Sequence, residues 1–207
     1  INKKSGDIVQ GDKTGDAPLS DFVKAYIKKK YNKPGEVFLG TIHRLDRPTS
    51  GIVLYARTSK ALTRMNEQFR EKQVQKTYWA VVDNAPPNTS GTLENYLQKN
   101  QKQNKSFVTK GAEGKHAVLD FKLLKKLDNF YHLEIRPKTG RHHQIRVQLA
   151  NIGCIIKGDL KYGAKRSNKD ASIHLLAQKL EFIHPVKKEP ITIVAPAPKD
   201  SIWKACH

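Results

Sequence analysis

The chain has 207 residues, enough for one domain of ordinary size spanning 1–207, and its 38% apolar content supports a core without surplus. Its 38 lysines and arginines oppose 19 aspartates and glutamates, a net charge of +19 that favours polyanions, nucleic acid first and an anionic membrane surface second. No apolar run approaches the roughly 20 residues that cross a bilayer, the first residues carry no signal-peptide pattern, and Cys154 and Cys206 stand in no metal or redox spacing. The expectation is a chain in the reducing cytoplasm, with no membrane association.

Residues 1–10 read as a short strand and turn, with Ser5-Gly6-Asp7 at the turn and Ile8-Val9 re-entering the core. A polar loop over 11–16 follows. Leu19, Phe22, Val23, Tyr26 and Ile27 then recur at helical spacing after Pro18, which predicts an amphipathic helix over 18–30 with Lys24, Lys28, Lys29 and Lys30 on its far face. The apolar run 52–56 reads as a buried strand. Ser59 can cap a helix that carries Leu62, Met65 and Phe69 on one face. Residues 76–82 are rich in β-formers, and Pro86-Pro87 breaks the pattern into a loop over 84–91. The polar stretch 98–115 carries lysines at 99, 102, 105, 110 and 115, and reads either as a mobile solvated hairpin or as a flap facing RNA.

Alternating segments at 116–124 and 130–136 predict an antiparallel hairpin, and Ile145, Leu149 and Ile152 mark a helix ended by Gly153. Segments 173–182 and 191–195 read as closing strands, and His184-Pro185 as a turn in which His184 is structural. Strands outnumber helices and follow one another mostly as hairpins. This predicts an α+β fold with a large, mainly antiparallel sheet.

Two blocks carry chemistry. His43-Arg44-Leu45-Asp46-Arg47-Pro48-Thr49-Ser50-Gly51 sets one acid among bases in a turn fixed by Pro48 and Gly51, at the mouth of the strand that follows. On spacing alone Asp46 reads first as an ordinary surface ion pair and only second as a catalytic carboxylate. The second block is Lys138-Thr139-Gly140-Arg141-His142-His143-Gln144-Ile145-Arg146. In that order the two resemble the motifs of the RluA-type pseudouridine synthases, and the likeness runs from Ile1-Asn2-Lys3 to Ala195-Pro196.

The resemblance implies a catalytic domain with a central mixed sheet, helices and loops around a cleft. It implies isomerisation of a uridine in structured RNA, ribosomal or transfer, with no cofactor and no metal. Asp46 is then the nucleophile, and Arg146 the cation that keeps it ionised. Tyr78, in Lys76-Thr77-Tyr78, is the ring that stacks on the base and takes the C5 proton. Arg44 fills the gap left by the flipped base, and Arg47, Lys76, Arg141 and His142 contact the RNA. Gly158-Asp159 and Tyr162-Gly163 match positions that shape the rim of the cleft, although Ile155-Ile156 stands where the family commonly has a proline. Lys3-Lys4 replaces a Lys-Pro pair, a departure expected to alter a loop and not the chemistry. The family's additional N-terminal RNA-binding domain is expected to be absent, and the protein to act as a monomer.

Adjacent histidines on a helix diverge, so Arg141, His142 and His143 are expected to touch phosphates or brace the motif, not to bind zinc. A non-catalytic RNA-binding module is the principal alternative. A nucleoside hydrolase is a weaker one, because it needs two carboxylates flanking the sugar bond and each block offers one acid at most.

Overall fold

A computed structural model describes residues 1–11, 15–111 and 113–206. Part of the expected polar loop, residues 12–14, lies outside the described residues. The elements in chain order are β1 (Asn2–Lys3), α1 (Leu19–Lys30), β2 (Gly40–Thr41), β3 (Ser50–Ile52), β4 (Tyr55–Ala56), α2 (Ser59–Arg70) and β5 (Gln75–Val82). Then come β6 (Ser90–Asn100), β7 (Lys105–Thr109), β8 (Lys115–Lys126), β9 (Tyr131–Pro137), α3 (Gln144–Asn151), a 3-10 turn at Leu160–Tyr162, β10 (Leu175–Ile183), β11 (Pro190–Val194) and α4 (Ser201–Ala205).

Nine of these strands form one sheet in the order β1-β3-β10-β5-β9-β8-β6-β7, with β11 added on β10. Only the β3–β10 pair is parallel; the other pairings are antiparallel. The fold is therefore α+β with a large, mixed, mainly antiparallel sheet. Hairpin alternation places Leu119, Leu133 and Ile135 in the core, where they are fully buried. On that face they meet Ile145 and Leu149 of α3, and a second cluster around Met65, Val81, Leu176 and Trp203 packs with α2 and α4.

The expected strand 52–56 is two short strands in two sheets: β3 joins the main sheet, whereas β4 pairs with β2. The break falls at Val53-Leu54, where the Leu54 N–H donates to His43 Nε2 at 3.1 Å instead of to a neighbouring strand. Gly51 makes the β3–β10 pairing possible. Its φ is +116°, and a Cβ there would lie 2.3 Å from the carbonyl oxygen of Ala177.

Helix α1 departs from its expected amphipathic pattern. Ile27 is its only buried residue, while Phe22 and Tyr26 are 63% and 59% exposed. Leu19, Val23 and Ile27, spaced by four, suffice for the inner face. Tyr26 instead accepts a hydrogen bond from Lys30 Nζ at 3.0 Å on the outside. The basic stretch 98–115 is the β6–β7 hairpin and the start of β8, and β6 begins inside the expected loop 84–91.

Candidate active site

The turn at 46–49 is closed by Thr49 N–H donating to the Asp46 carbonyl at 3.0 Å, and its far side is anchored by Ile173 N–H donating to Pro48 O at 3.1 Å. Lys3 fastens it from below. Its side chain is 1% exposed, and Nζ donates to the carbonyls of Lys4, Arg47 and Thr49 at 2.9, 3.0 and 2.7 Å. Burial lowers its pKa to about 8, against the pull of Asp7 and Asp46. Lys3 is thus a clamp behind Asp46, and the departure from the Lys-Pro pair falls at Lys4, which is exposed. Nothing local in the sequence marks that linkage.

Asp46 emerges from this turn half-buried, and Arg146 reaches it from α3, with Nη1 donating to Oδ2 at 3.1 Å. Helix α3 is buried on nearly all sides from Gln144 to Leu149, so Arg146, 5% exposed, lies inside and not on a helix surface. Asp159 balances it: Arg146 Nε and Nη2 each donate to one Asp159 oxygen at 2.7 Å, a bidentate pair. Burial works against the Arg146 charge, but the hydrogen bonds and charges of Asp159, joined by Asp46, outweigh it and raise its pKa. Asp159 therefore belongs to the centre of the site and not to its rim. With both oxygens occupied by one guanidinium, it is not a second free carboxylate of the kind a hydrolase needs.

Gln144 sets the entry to α3. Its side-chain oxygen accepts from Thr139 Oγ1 at 2.7 Å and Arg141 N–H at 3.0 Å, while its amide donates to Val118 O at 3.0 Å. The chain then passes through His143 in the left-handed region, φ 54°. His143 stacks on His142 with ring centroids 3.8 Å apart and brings Nε2 to 3.6 Å from Asp46 Oδ2. Burial, then the Arg146 charge, lowers the His143 pKa to about 2, so Asp46 faces a neutral imidazole and not a second cation. The Tyr162 oxygen accepts from Ser106 N–H at 2.9 Å, donates to Ser106 O at 3.3 Å and lies 2.9 Å from His143 Nδ1, which holds the imidazole in place beside Asp46.

Tyr78 lies on β5 against Leu45, Val53 and Ala177. Its pKa is raised by burial and then by the Asp46 charge, which puts the phenol, protonated, beside the carboxylate. The structure therefore brings Asp46, Tyr78 and Arg146 together. His142 also joins this cluster: Ser106 Oγ lies 2.9 Å from its Nδ1 and donates to its carbonyl at 2.7 Å. Arg44, Arg47 and Arg141 lie on the exposed surface, Arg47 paired with Asp16 at 2.7 Å and Arg141 Nε donating to His116 O at 2.8 Å. Lys76 is half-buried beside Phe69. Among the described residues no three His, Cys, Asp or Glu side chains converge as metal ligands.

From the sequence, His143 has a bracing role and Tyr162 a place on the rim. Only their positions within the resembling motifs mark them. His43 is structural, stacked on Phe69 at 5.3 Å, and burial followed by the Lys76 charge lowers its pKa to about 4. A pH dependence follows. Both His43 and His143 are neutral in the fold, whereas in the unfolded chain they take up protons near pH 6.5. The unfolded state thus binds more protons below that pH. Stability should fall on acidification from about 6.5 towards 4, by up to about 1.4 kcal/mol per pH unit for each histidine. Urea midpoints measured across that range should show the slope, and His143→Asn should reduce it. A wild-type midpoint flat from pH 6.5 to 4.5 would contradict the assignment.

Comparison with known proteins places the chain among related sequences and folds. Residues 1–151 match the family model described as RNA pseudouridylate synthase. An uncharacterized RNA pseudouridine synthase of Chlorobaculum parvum is 34% identical over 224 residues, covering 97% of this chain and 68% of that protein. The ribosomal large subunit pseudouridine synthase C of Buchnera aphidicola is 36% identical over 178 residues, covering 82% of this chain and 55% of its own length. The ribosomal large subunit pseudouridine synthase D of Xylella fastidiosa is 37% identical over 174 residues, covering 78% and 52%. The chain thus spans only about half the length of the last two relatives. Among solved structures, Human RNA Pseudouridylate Synthase Domain Containing 4 shares the fold, with a TM-score of 0.80 at 24% identity, covering 100% of this chain and 87% of that one. With both motifs seated on one carboxylate–arginine centre and the family model spanning residues 1–151, this chain belongs to the RluA-type RNA pseudouridylate synthase family.

Proposed function

We propose that the chain isomerises a specific uridine in structured RNA, ribosomal or transfer, to pseudouridine, with Asp46 as nucleophile and the target base flipped from its stack. The observation that carries the reading is the Arg146–Asp46 contact of 3.1 Å beside Tyr78. A carboxylate at a cleft mouth, held in place by a hydrogen bond from a buried guanidinium, is positioned to act as a nucleophile. The reaction breaks the C1′–N1 bond, turns the uracil, joins C1′ to C5, and moves the C5 proton to solvent while N1 gains one. Once Asp46 spends its charge in a covalent adduct, part of what raises the Tyr78 pKa is gone, so the phenol gives its proton to solvent more readily, and the resulting phenolate can take the C5 proton. Arg44, exposed two residues before Asp46 in the first motif, would occupy the space of the extruded base, which costs a few kcal/mol to unstack.

Release of tritium from RNA labelled at uridine C5 tests the proposal. Pseudouridine formation releases it, whereas binding alone does not, and hydrolysis would leave free uracil and abasic sites. Failure to release tritium from any ribosomal or transfer RNA would favour the non-catalytic RNA-binding module.

The RNA grip is expected to extend to the β6–β7 hairpin. Ser106 ties that hairpin to His142 and Tyr162, and Lys105 lies 5.1 Å above the Tyr162 ring. Lys105 therefore has a packing role, whereas Lys99 and Lys102 are exposed. Neutralising Lys99 and Lys102 together should weaken RNA binding and lower the salt slope by roughly 0.7–0.9 for each phosphate that the variant no longer neutralises. An unchanged affinity and slope in filter binding would make the hairpin tip a bystander.

A further inference from the structure

A cleft of about 550 Å³ lies between the end of α2, the start of β5, and the segment Pro137–Arg141 that leads into α3. Its lining carries six bases, Arg70, Lys72, Lys76, Arg136, Lys138 and Arg141, against one acid, Asp120. That acid is already engaged, accepting from Thr92 Oγ1 at 2.7 Å and pairing with Lys138 at 2.9 Å. Arg136 is likewise paired, with Glu134 at 2.9 Å. Lys76 differs from both. It is half-buried, and among the described residues its ammonium has neither an acid nor a hydrogen-bond acceptor. Its named neighbours are the Phe69 ring at 5.9 Å and Gly140, where a Cβ would stand 3.7 Å from Nζ. Burial lowers its pKa, and no acidic group opposes the shift.

A cation taken out of water without a partner costs the fold stability, and such a group calls for an explanation. The position of Lys76 supplies one. It stands two residues before Tyr78 on β5, so both side chains leave the same face of the strand, about 7 Å apart along it. If the uracil stacks on Tyr78, the sugar and phosphate of the same or the adjoining nucleotide span that separation. We infer that this cleft is a phosphate subsite in which Lys76, with Arg141 at its edge, holds one specific backbone phosphate next to the target uridine. The inference rests on the isomerase reading for the identity of the nucleotide, but its anion chemistry does not depend on turnover.

The test is Lys76→Met, which keeps the aliphatic stem and removes the charge, with Lys76→Arg as the conservative variant. The probe is a short stem-loop RNA with uridines in the loop, made with a neutral methylphosphonate at each loop phosphate in turn. Binding is measured on Asp46→Asn protein, so that no turnover intervenes. Lys76→Met is expected to be at least as stable as its parent in urea, because it relieves an unpaired buried charge. It should bind the unmodified RNA about tenfold more weakly, the scale of one charge-assisted hydrogen bond, with a salt slope lower by roughly 0.7–0.9. One methylphosphonate position should cost the parent a similar factor and leave Lys76→Met unaffected, and Lys76→Arg should restore the sensitivity. A Lys76→Met protein that is destabilised yet binds every RNA as its parent does would overturn the inference, assigning Lys76 to packing. Equal affinity at all positions with tritium release intact would overturn the subsite and leave the isomerase reading standing. A Lys76-dependent phosphate in a protein that releases no tritium would do the reverse.

Discussion

Asp46→Asn is expected to abolish tritium release while RNA binding persists. Asn retains the shape and an oxygen that can accept from Arg146 Nη1, 3.1 Å away in the native structure, so the turn and its clamp stay in place. What it loses is the negative charge that makes the nucleophile, and removal of a covalent nucleophile costs roughly four orders of magnitude or more in rate. Filter binding and tritium release on the same preparation separate the two effects. Residual turnover near that of the wild type would sink the assignment. The substitution also isolates the charge from the geometry: the neutral His143 ring stays at its place, so it cannot account for the loss.

Arg146→Leu should remove activity and stability together. The guanidinium is the partner of two carboxylates, one of them, Asp159, 1% exposed. Without it, Asp159 is a buried charge with no counterion, a loss of about 3–5 kcal/mol. Urea unfolding measures that loss, and tritium release the activity. A second variant distinguishes charge balance from catalysis. Arg146→Leu combined with Asp159→Leu removes both buried charges and should recover much of the stability, because a buried ion pair and an apolar pair of similar volume are often close in free energy. The double variant should remain inactive, since nothing then holds Asp46. An Arg146→Leu protein that is active and equally stable would place Arg146 at the surface.

The two motifs could be read because each is contiguous: nine residues carry Asp46 and its turn, and nine more carry Gln144 and Arg146. The hairpins were legible for the same local reason, since alternation over 116–124 and 130–136 depends only on neighbours. Lys3 and Asp159 were harder. Each acts on the site from a distant part of the chain, Lys3 through backbone carbonyls 44 and 46 positions away, and no local pattern reports such a bond. Tyr162 reaches His143 and Ser106 through a 3-10 turn that has no periodicity to detect. The split of the run 52–56 has a similar origin. Five apolar residues in a row look like one strand, but His43 captures the Leu54 amide, and the sheets on either side take one half each.

The parallel pairing of β3 with β10 carries a consequence for synthesis on the ribosome. The strand that leaves the Asp46 turn is bordered by residues Leu176 and Ala177, and Pro48 is tied to Ile173. Arg146 meets Asp46 across 100 positions of sequence. The first motif is translated well before its neighbour β10, which follows only after most of the remaining sheet has been made. The Asp46 turn therefore gains its β-sheet anchorage late, in the step that closes the sheet, and a nascent chain halted before β10 would carry Asp46 on a turn with neither Ile173 nor β10 to hold it.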